Sequence, residues 1–479
     1  MNASRKASKS VHDGEARRLG VSAAIVLAAG DGTRMRSDTP KVLHQLGGRT
    51  LLNRVVSSVR QLNPDRLAVV VHYQAERVAD AALSYDSGIT IVRQDDIPGT
   101  GRAVQCAMKT LGEDERLTGP VLIAASDMPL LDFTTLQALI HSHVESGNGA
   151  TVLTARLNNP TGYGRIIRDQ QGNVLRIVEQ KDANSTELAV HEVNTSVYVF
   201  DADVLGASIE GLDDDNAQGE FYLTDALEQA TQNGRQVGAF AAPDALAVEG
   251  VNDRIQLANL AKAHNRRVCE EWMLKGVTIL DPETTWIDDE VEIAQDVTVL
   301  PGSFLQRHTV IASHAVIGPY TTLIDARIDE GATVERSRVQ DSHIGAEASI
   351  GPWTYMRPGN ELKEQTKAGA FVEMKKAHID RGSKVPHLSY IGDAHIGEHS
   401  NVGGGTITAN YDGVHKHRTQ IGSHVHVGAD NVFVAPVEVG DGVTTGAGSV
   451  IRHQVSDGSL AYSENTQHEK KNWKPAWER

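Results

Sequence analysis

From about Trp286 onward, apolar residues recur at every sixth position: Ile293, Val299, Leu305, Ile311, Ile317 and Leu323, then again Ile421, Val427, Phe433, Val439, Thr445 and Ile451. A helix repeats every 3.6 residues and a half-buried strand every two, so neither accounts for a period of six. A parallel β-helix does: each short coil segment turns one aliphatic side chain into a continuous stacked core. Small residues follow many of these positions, as in Ile317-Gly318, Ile350-Gly351, Ile421-Gly422, Val427-Gly428 and Val439-Gly440, where the backbone must turn a corner at low steric cost. The period breaks over Met356–Tyr390 and Gly405–Gln420. Insertions in a solenoid map to loops on one face, so these two segments are expected to carry binding loops.

The first half of the chain has a different texture. Over residues 21–246, apolar runs at Ala23–Ala28, Leu67–Val71, Ile89–Val92 and Val121–Ala125 alternate with segments of helical spacing, among them Leu51 to Leu62, Gly101–Thr110 and Asp132–Glu145. Such alternation predicts a mostly parallel α/β sheet. Ligands in these sheets sit at the carboxyl ends of the strands, which directs attention to the loops after Ala28, Val92 and Ala125. Asn252–Lys275 reads as one long helix of mixed charge, ended by Gly276. The expected organisation is a disordered tail at 1–20, an α/β domain at 21–250, a linker helix at 251–276 and a β-helix with a C-terminal tail at 277–479.

Composition narrows the function classes. Of 479 residues, 62 are acidic and 46 basic, a net charge of −16, and 5% are aromatic. That is wrong for a nucleic-acid surface, which needs a basic footprint and stacking platforms. No apolar stretch approaches the ~20 residues of a bilayer span, so no membrane partner is expected. The two cysteines, Cys106 and Cys269, lie far apart without metal-ligand spacing. They suit a reducing, cytoplasmic compartment.

Two features carry chemistry on their own. Leu27-Ala28-Ala29-Gly30-Asp31-Gly32-Thr33-Arg34-Met35 follows the first strand, with Lys41 shortly after. A glycine-rich loop there can aim backbone N–H groups at phosphates. No Gly-Lys-Ser/Thr follows and no third glycine completes a dinucleotide fingerprint, so neither standard nucleotide motif applies. Asp127 stands at the end of the Val121–Ala125 strand. An acidic residue there can hold Mg²⁺, but taken alone its position favours a cap or turn before the helix that follows.

These segments occur in one order with Gln94…Gly99-Thr100-Gly101, Thr161-Gly162-Tyr163-Gly164-Arg165, Val178-Glu179-Gln180-Lys181-Asp182 and Val248-Glu249-Gly250-Val251-Asn252. The second half adds Arg357-Pro358-Gly359, Phe371-Val372-Glu373-Met374-Lys375-Lys376, His387-Leu388-Ser389-Tyr390-Ile391-Gly392-Asp393 and Asn410-Tyr411-Asp412-Gly413. Together, from about Val21 to about Ser463, the chain resembles the bacterial bifunctional N-acetylglucosamine-1-phosphate uridylyltransferase/glucosamine-1-phosphate N-acetyltransferases. The resemblance implies a Rossmann-like nucleotidyltransferase domain joined by a long helix to a left-handed parallel β-helix of hexapeptide repeats. It implies substrates glucosamine 1-phosphate, acetyl-CoA and UTP, Mg²⁺ as cofactor, a homotrimer, and a place in peptidoglycan precursor synthesis.

Carried over position by position, the resemblance assigns Leu27, Ala28, Ala29, Gly30, Gln94, Gly99 and Thr100 to the uridine nucleotide. It gives Arg34 and Lys41 to its phosphates, and Asp127 and Asn252 to Mg²⁺. Ala125, Ser126, Gly164, Glu179 and Asn194 fall to the sugar nucleotide. Ala125-Ser126 stands where the family usually has glycine before the aspartate.

For acetyl transfer, a histidine suits a reaction that must remove a proton from an attacking amine, and His387 matches the family's general base. Arg357, Lys375, Tyr390 and Asn401 would bind the sugar phosphate. Gly404, Asn410, Tyr411, Ala429, Ala447 and Glu464 would meet acetyl-CoA, with Lys416 and Arg452 nearby. Ala429 replaces a common serine, and Glu464 an arginine found in some members. Both cysteines precede the hexapeptide segment, which favours direct attack by the amine over a cysteine acyl-enzyme. Two other readings compete: a single-activity nucleotidyltransferase with a structural β-helix, and a non-enzymatic scaffold of the same two-part design.

Overall fold

The computed structural model of the chain describes residues 20–113, 115–464, 466–475 and 477. It divides into two compact units, residues 1–264 and 265–479. The tail expected at 1–20 lies, apart from Gly20, outside the described residues.

The central sheet of the first unit runs, edge to edge, Val237–Ala241, Ala150–Arg156, Glu192–Asp201, Pro120–Ala125, Ala23–Ala28, Arg66–Val71 and Thr90–Arg93. Neighbours pair in parallel except at Glu192–Asp201, which is antiparallel to both of its neighbours. A hairpin, Arg165–Arg168 with Val174–Val178, extends from that strand. The apolar runs are strands because both of their faces are covered: Ala23 to Val26 and Val121 to Ala124 are fully buried, as a parallel sheet between helical layers requires. The helix Leu51–Arg60 starts where the Thr50 hydroxyl accepts from the Asn53 N–H, and turns Leu51, Leu52, Val55, Val56 and Val59 inward. Phe133–Glu145 is capped in the same way by the Asp132 carboxylate. That cap frees Asp127 from the capping role its position also allowed.

The second unit is a parallel β-helix. Strands of two to four residues stack into three sheets, so that Ile293 pairs above Ile311, Val299 above Ile317 and Leu305 above Leu323. All twelve periodic residues are buried in its core. Truncating one of them, such as Ile317, would open a cavity in a stack that cannot collapse sideways, a cost of about 2–5 kcal/mol.

Two expectations are corrected here. Met356–Tyr390 carries no inserted loop: Met356, Met374 and Ile391 stack in register, as do Leu362, Ile379 and Ile396. What breaks the period there is a coil shortened by a residue, which shifts the count without adding backbone. The other break is a true excursion, in which Tyr411 and Lys416 bridge antiparallel outside the stack.

The second correction concerns Cys269, which does not lie outside the hexapeptide unit. It is fully buried in that unit's core beside Val277 and Ile279, from the long helix Arg254–Leu274. Burial pushes its thiol up to about 11, so it supplies no thiolate, and the case against a cysteine acyl-enzyme stands on burial instead of position.

Candidate active sites

In the first unit the loops at the carboxyl ends of the strands enclose a cleft of about 610 Å³, within the range of a small-molecule site. Leu27, Ala28, Ala29, Gly30, Lys41, Gln94, Gly99, Thr100, Ala125, Ser126, Asp127, Gly164, Glu179, Asn194 and Asn252 all line it. Arg34 sits at its margin, in a short 3-10 turn at Thr33–Met35.

The loop is shaped by what its glycines admit. Gly32 has φ 60°, and a Cβ there would stand 2.6 Å from Lys41 Cβ. Its missing side chain is what lets Lys41 close over the loop. Lys41 Nζ then meets Asp127 Oδ2 at 2.5 Å. Val251 N–H donates to the Asp127 carbonyl at 2.8 Å, which holds the next residue, Asn252, at the same end of the cleft. There its side-chain oxygen accepts from Arg34 Nη2 at 2.7 Å. Both oxygen donors assigned to Mg²⁺ are thus faced by cations. A carboxylate and an amide oxygen are hard ligands, leaving room for water and phosphate oxygens, so the donor set fits that ion.

Several assigned residues have structural duties as well. Gly99 adopts φ 119°, and a Cβ on it would lie 2.3 Å from the Phe221 carbonyl. The segment 98–101 is clasped to that strand-like stretch, with Gly101 N–H donating to Phe221 O and Leu223 N–H to the Thr100 hydroxyl. Gln94 donates to the carbonyls of Ile97 and Gly99. Ser126, in the place of a glycine, turns its hydroxyl back to the Leu27 carbonyl at 2.6 Å. Asn194 is buried and fully engaged: its amide donates to the Tyr198 hydroxyl and its oxygen accepts from Ser196 N–H.

Glu179 faces Gly164 across the cleft, 3.1 Å from where a Cβ would be. Burial, then Asp225 and Asp182, raise its carboxyl to about 7. Tyr163, quoted in a motif but given no role, and Ser196 and Glu220, which no reading of the sequence singled out, also line the cleft. Glu220 lies far along the chain, and no local motif marks it.

In the second unit the assigned residues fall on one outer face and one edge of the β-helix. Arg357 and Lys375 follow the inward Met356 and Met374 on successive coils, with Tyr390 on the next. Arg357 Nη1 lies 3.2 Å from Glu373 Oε1. Lys416, from the excursion, stands against Lys375 and holds its ammonium below the ordinary lysine range, with Arg357 adding to the effect. The sequence had grouped Lys416 with coenzyme A; the fold makes it part of the cationic group. Asn410 donates to Asp393 beside it, and the Tyr411 hydroxyl donates to the Gly413 carbonyl.

The edge leading into this face carries His387, exposed, with Gly404, Ala429 and Ala447 on the coils above. Gly405 N–H donates to His387 O, Asp430 N–H to Gly404 O and Gly448 N–H to Ala429 O. A side chain on Gly404 would start 3.4 Å from His387 Cβ, so glycine there clears the approach to the imidazole. Asn401 lies on the adjoining sheet, bridged between Lys384 and His426. Glu464 is exposed just beyond the last strand.

Residues 24–184 match the family model of the MobA-like NTP transferase domain, and residues 418–453 that of the bacterial transferase hexapeptide (six repeats). The chain is 72% identical to the Bifunctional protein GlmU of Bifidobacterium longum over 96% of its own length and 100% of that protein. It is 70% identical to the protein of that name from Bifidobacterium animalis subsp. lactis, again over 96% and 100%. With the one from Paenarthrobacter aurescens it shares 51%, over 95% and 92%. The chain belongs to the GlmU family. It is a bifunctional enzyme, a nucleotidyltransferase and an acetyltransferase, and the readings as a scaffold or a single-activity enzyme fall away.

Proposed function

We propose that the hexapeptide unit acetylates glucosamine 1-phosphate from acetyl-CoA, and that the α/β unit then joins the product to UTP, giving UDP-N-acetylglucosamine and pyrophosphate for cell-wall synthesis. The observation that carries this reading is the meeting, in one cleft, of the Lys41–Asp127 pair with the Arg34–Asn252 pair.

In uridylyl transfer, an oxygen of the sugar phosphate attacks the α-phosphorus of UTP, and the bond to pyrophosphate breaks. The attacking group is already an anion, so no side-chain nucleophile is needed. Positioning and charge neutralisation do the work. Lys41 and Arg34 release their oxygen partners and turn to the phosphates, while Asp127 and Asn252 would hold Mg²⁺. That ion, when bound, offsets charge on the phosphate oxygens. The raised carboxyl of Glu179 offers the sugar either a donor or an acceptor near neutral pH.

In acetyl transfer, the sugar amine attacks the thioester carbonyl, its proton passes to the His387 imidazole, and the coenzyme A thiolate leaves. Arg357, Lys375 and Lys416 form a cationic group that a phosphate dianion would relieve. The row Gly404, Ala429 and Ala447 offers a narrow edge for the arm of coenzyme A.

An exposed ridge supports a trimer with a shared acetyl site. Tyr320, Arg336, Trp353, Phe371 and Leu388 follow one another at the same corner, with Arg336 over the Tyr320 ring, Trp353 and Phe371 stacked at 5.2 Å and Leu388 65% exposed. No helix among the described residues is long and apolar enough to cross a membrane, in keeping with a cytoplasmic enzyme. Incubating the protein with glucosamine 1-phosphate, acetyl-CoA, UTP and Mg²⁺ tests the proposal. UDP-N-acetylglucosamine, coenzyme A and pyrophosphate are expected; formation of UDP-glucosamine as the main product would reverse the order of steps.

A further inference from the structure

The β-helix has three faces. The ridge of Tyr320, Trp353, Phe371 and Leu388 marks the corner between two of them, and the third face lies opposite that corner. On this third face Glu361, His378, His395 and Gln420 occupy the same outward position on four successive coils. Asp380 projects from the same coil as His378, two residues on.

The contacts among these side chains are specific. His378 Nε2 lies 3.0 Å from Asp380 Oδ1, and His395 Nε2 lies 2.7 Å from Asp380 Oδ2. Ligand atoms of His378, Asp380 and His395 all fall within 4.8 Å of one another. The other nitrogen of each ring is held from behind. His378 Nδ1 is 3.2 Å from Glu361 Oε2, and His395 Nδ1 is 3.1 Å from Gln420 Oε1. Glu361 is itself anchored by Lys363.

His378 is therefore flanked by carboxylates on both nitrogens, yet a neutral imidazole carries one N–H. If Nδ1–H donates to Glu361, the lone pair on Nε2 points at the Asp380 carboxylate, and that contact is repulsive without a cation between them. A carboxylate behind the distal nitrogen of a histidine is the arrangement that orients metal-bound imidazoles and raises their basicity. We infer that His378, Asp380 and His395 form a binding site for a divalent transition-metal ion of the zinc type, with Glu361 and Gln420 as supports. Two imidazoles and one carboxylate, with open positions for water, suit Zn²⁺, Co²⁺ or Ni²⁺ and discriminate against Mg²⁺ and Ca²⁺. Because its ligands come from adjacent coils, the ion fastens one coil to the next.

The test is a Co²⁺ titration of the untagged, full-length protein at pH 7.5, with Mg²⁺ in large excess to occupy the α/β unit. One equivalent of Co²⁺ is expected to bind with visible d–d absorption, to be displaced by Zn²⁺, and to raise the unfolding temperature. The His378→Ala/His395→Ala double variant should lose that equivalent while keeping both enzymatic activities. His395→Gln serves as a milder variant should the double variant fold poorly. Glu361→Gln, which touches only the support, should weaken Co²⁺ by ~10-fold. Unchanged Co²⁺ affinity in a folded variant lacking either histidine would overturn the site. So would an absence of the absorption band in the wild type, which would leave the cluster held by protons alone.

Discussion

Lys41 Nζ and Asp127 Oδ2 lie 2.5 Å apart in the cleft of the α/β unit, although 86 residues separate them. The ammonium occupies the space beside a carboxylate oxygen that a metal-bound phosphate would use. Asp127→Ala should therefore lower uridylyl transfer by ~10²–10³-fold, the scale set by loss of a preorganised charge in a closed site. Acetyl transfer should stay within about twofold, which separate assays with each sugar phosphate will read. Loss of both activities in a folded variant would contradict the assignment of the two reactions to separate sites.

His387→Ala is expected to reduce acetylation of glucosamine 1-phosphate by ~10²–10⁴-fold at neutral pH, the usual value of general-base catalysis, with uridylylation of N-acetylglucosamine 1-phosphate unchanged. Activity should recover in part at higher pH, where more of the substrate amine is already neutral. A pH–rate profile for each reaction, in wild type and variant, checks both statements.

Glu179 predicts a pH dependence of stability. Its carboxyl is raised to about 7 in the folded chain, by burial first and by Asp225 and Asp182 after it. The native state thus holds a proton that the unfolded chain releases near pH 4.3. Stability is full below that point and declines as pH climbs to about 7. The loss amounts to about 4 kcal/mol at most, taking ~1.4 kcal/mol per unit. Glu179→Gln should flatten this slope and raise the unfolding temperature at pH 8 relative to wild type, in matched thermal scans at pH 5 and 8.

Lys416 presses on Lys375, so in the proposed acetyltransferase site it would concentrate positive charge where the sugar phosphate is expected to bind. Lys416→Ala should raise the KM for glucosamine 1-phosphate by ~10-fold, with a smaller change in kcat. The KM for N-acetylglucosamine 1-phosphate in the other reaction should not move. Steady-state kinetics on both substrates decides this.

The corner ridge gives a prediction about assembly. Phe371 is 57% exposed and stacked on Trp353, an apolar surface with no cover among the described residues of its own chain. Phe371→Asp should dissociate a trimer into monomers in sedimentation velocity, and acetyl transfer should fall with it while uridylyl transfer persists. A wild-type monomer active in acetyl transfer would refute the shared site.

Much of the architecture was legible before any coordinates. The six-residue spacing specifies a stacked core, and Ile293 through Leu323 fill it without exception. The α/β strands were readable as well, because Ala23–Ala28 and Pro120–Ala125 are buried on both faces and so read as unbroken apolar runs. What periodicity could not supply was the meaning of its own interruptions. A coil shortened by one residue at Leu362 to Ile379 and a looped excursion at Tyr411 to Lys416 look alike as breaks in a count, yet only the second leaves the stack. Burial of Cys269 was hidden for a related reason. Its helix continues from one unit into the next, and nothing local says where the second core begins.

In the cleft, residues carried on motifs came together as expected. Those whose place depends on distant segments were not legible: the Glu220–Phe221 stretch against Gly99 and Gly101, and the Arg34–Asn252 contact across 218 residues. Close approach of two backbones leaves a glycine in the sequence but does not name the partner.

The row of His387, Gly404, Ala429 and Ala447 makes the edge of the β-helix a graduated scale. Each coil advances by one strand spacing, ~4.8 Å, whatever side chains it carries. In the proposed site, distance along the acyl donor would thus be measured out in whole coils, starting from the imidazole. Splicing in or deleting one complete coil above Gly404 would lengthen or shorten the reach by a single graduation and leave the sugar-phosphate face untouched. Tolerance for acyl donors of different length would then be set by counting repeats, with no residue of the reaction centre altered.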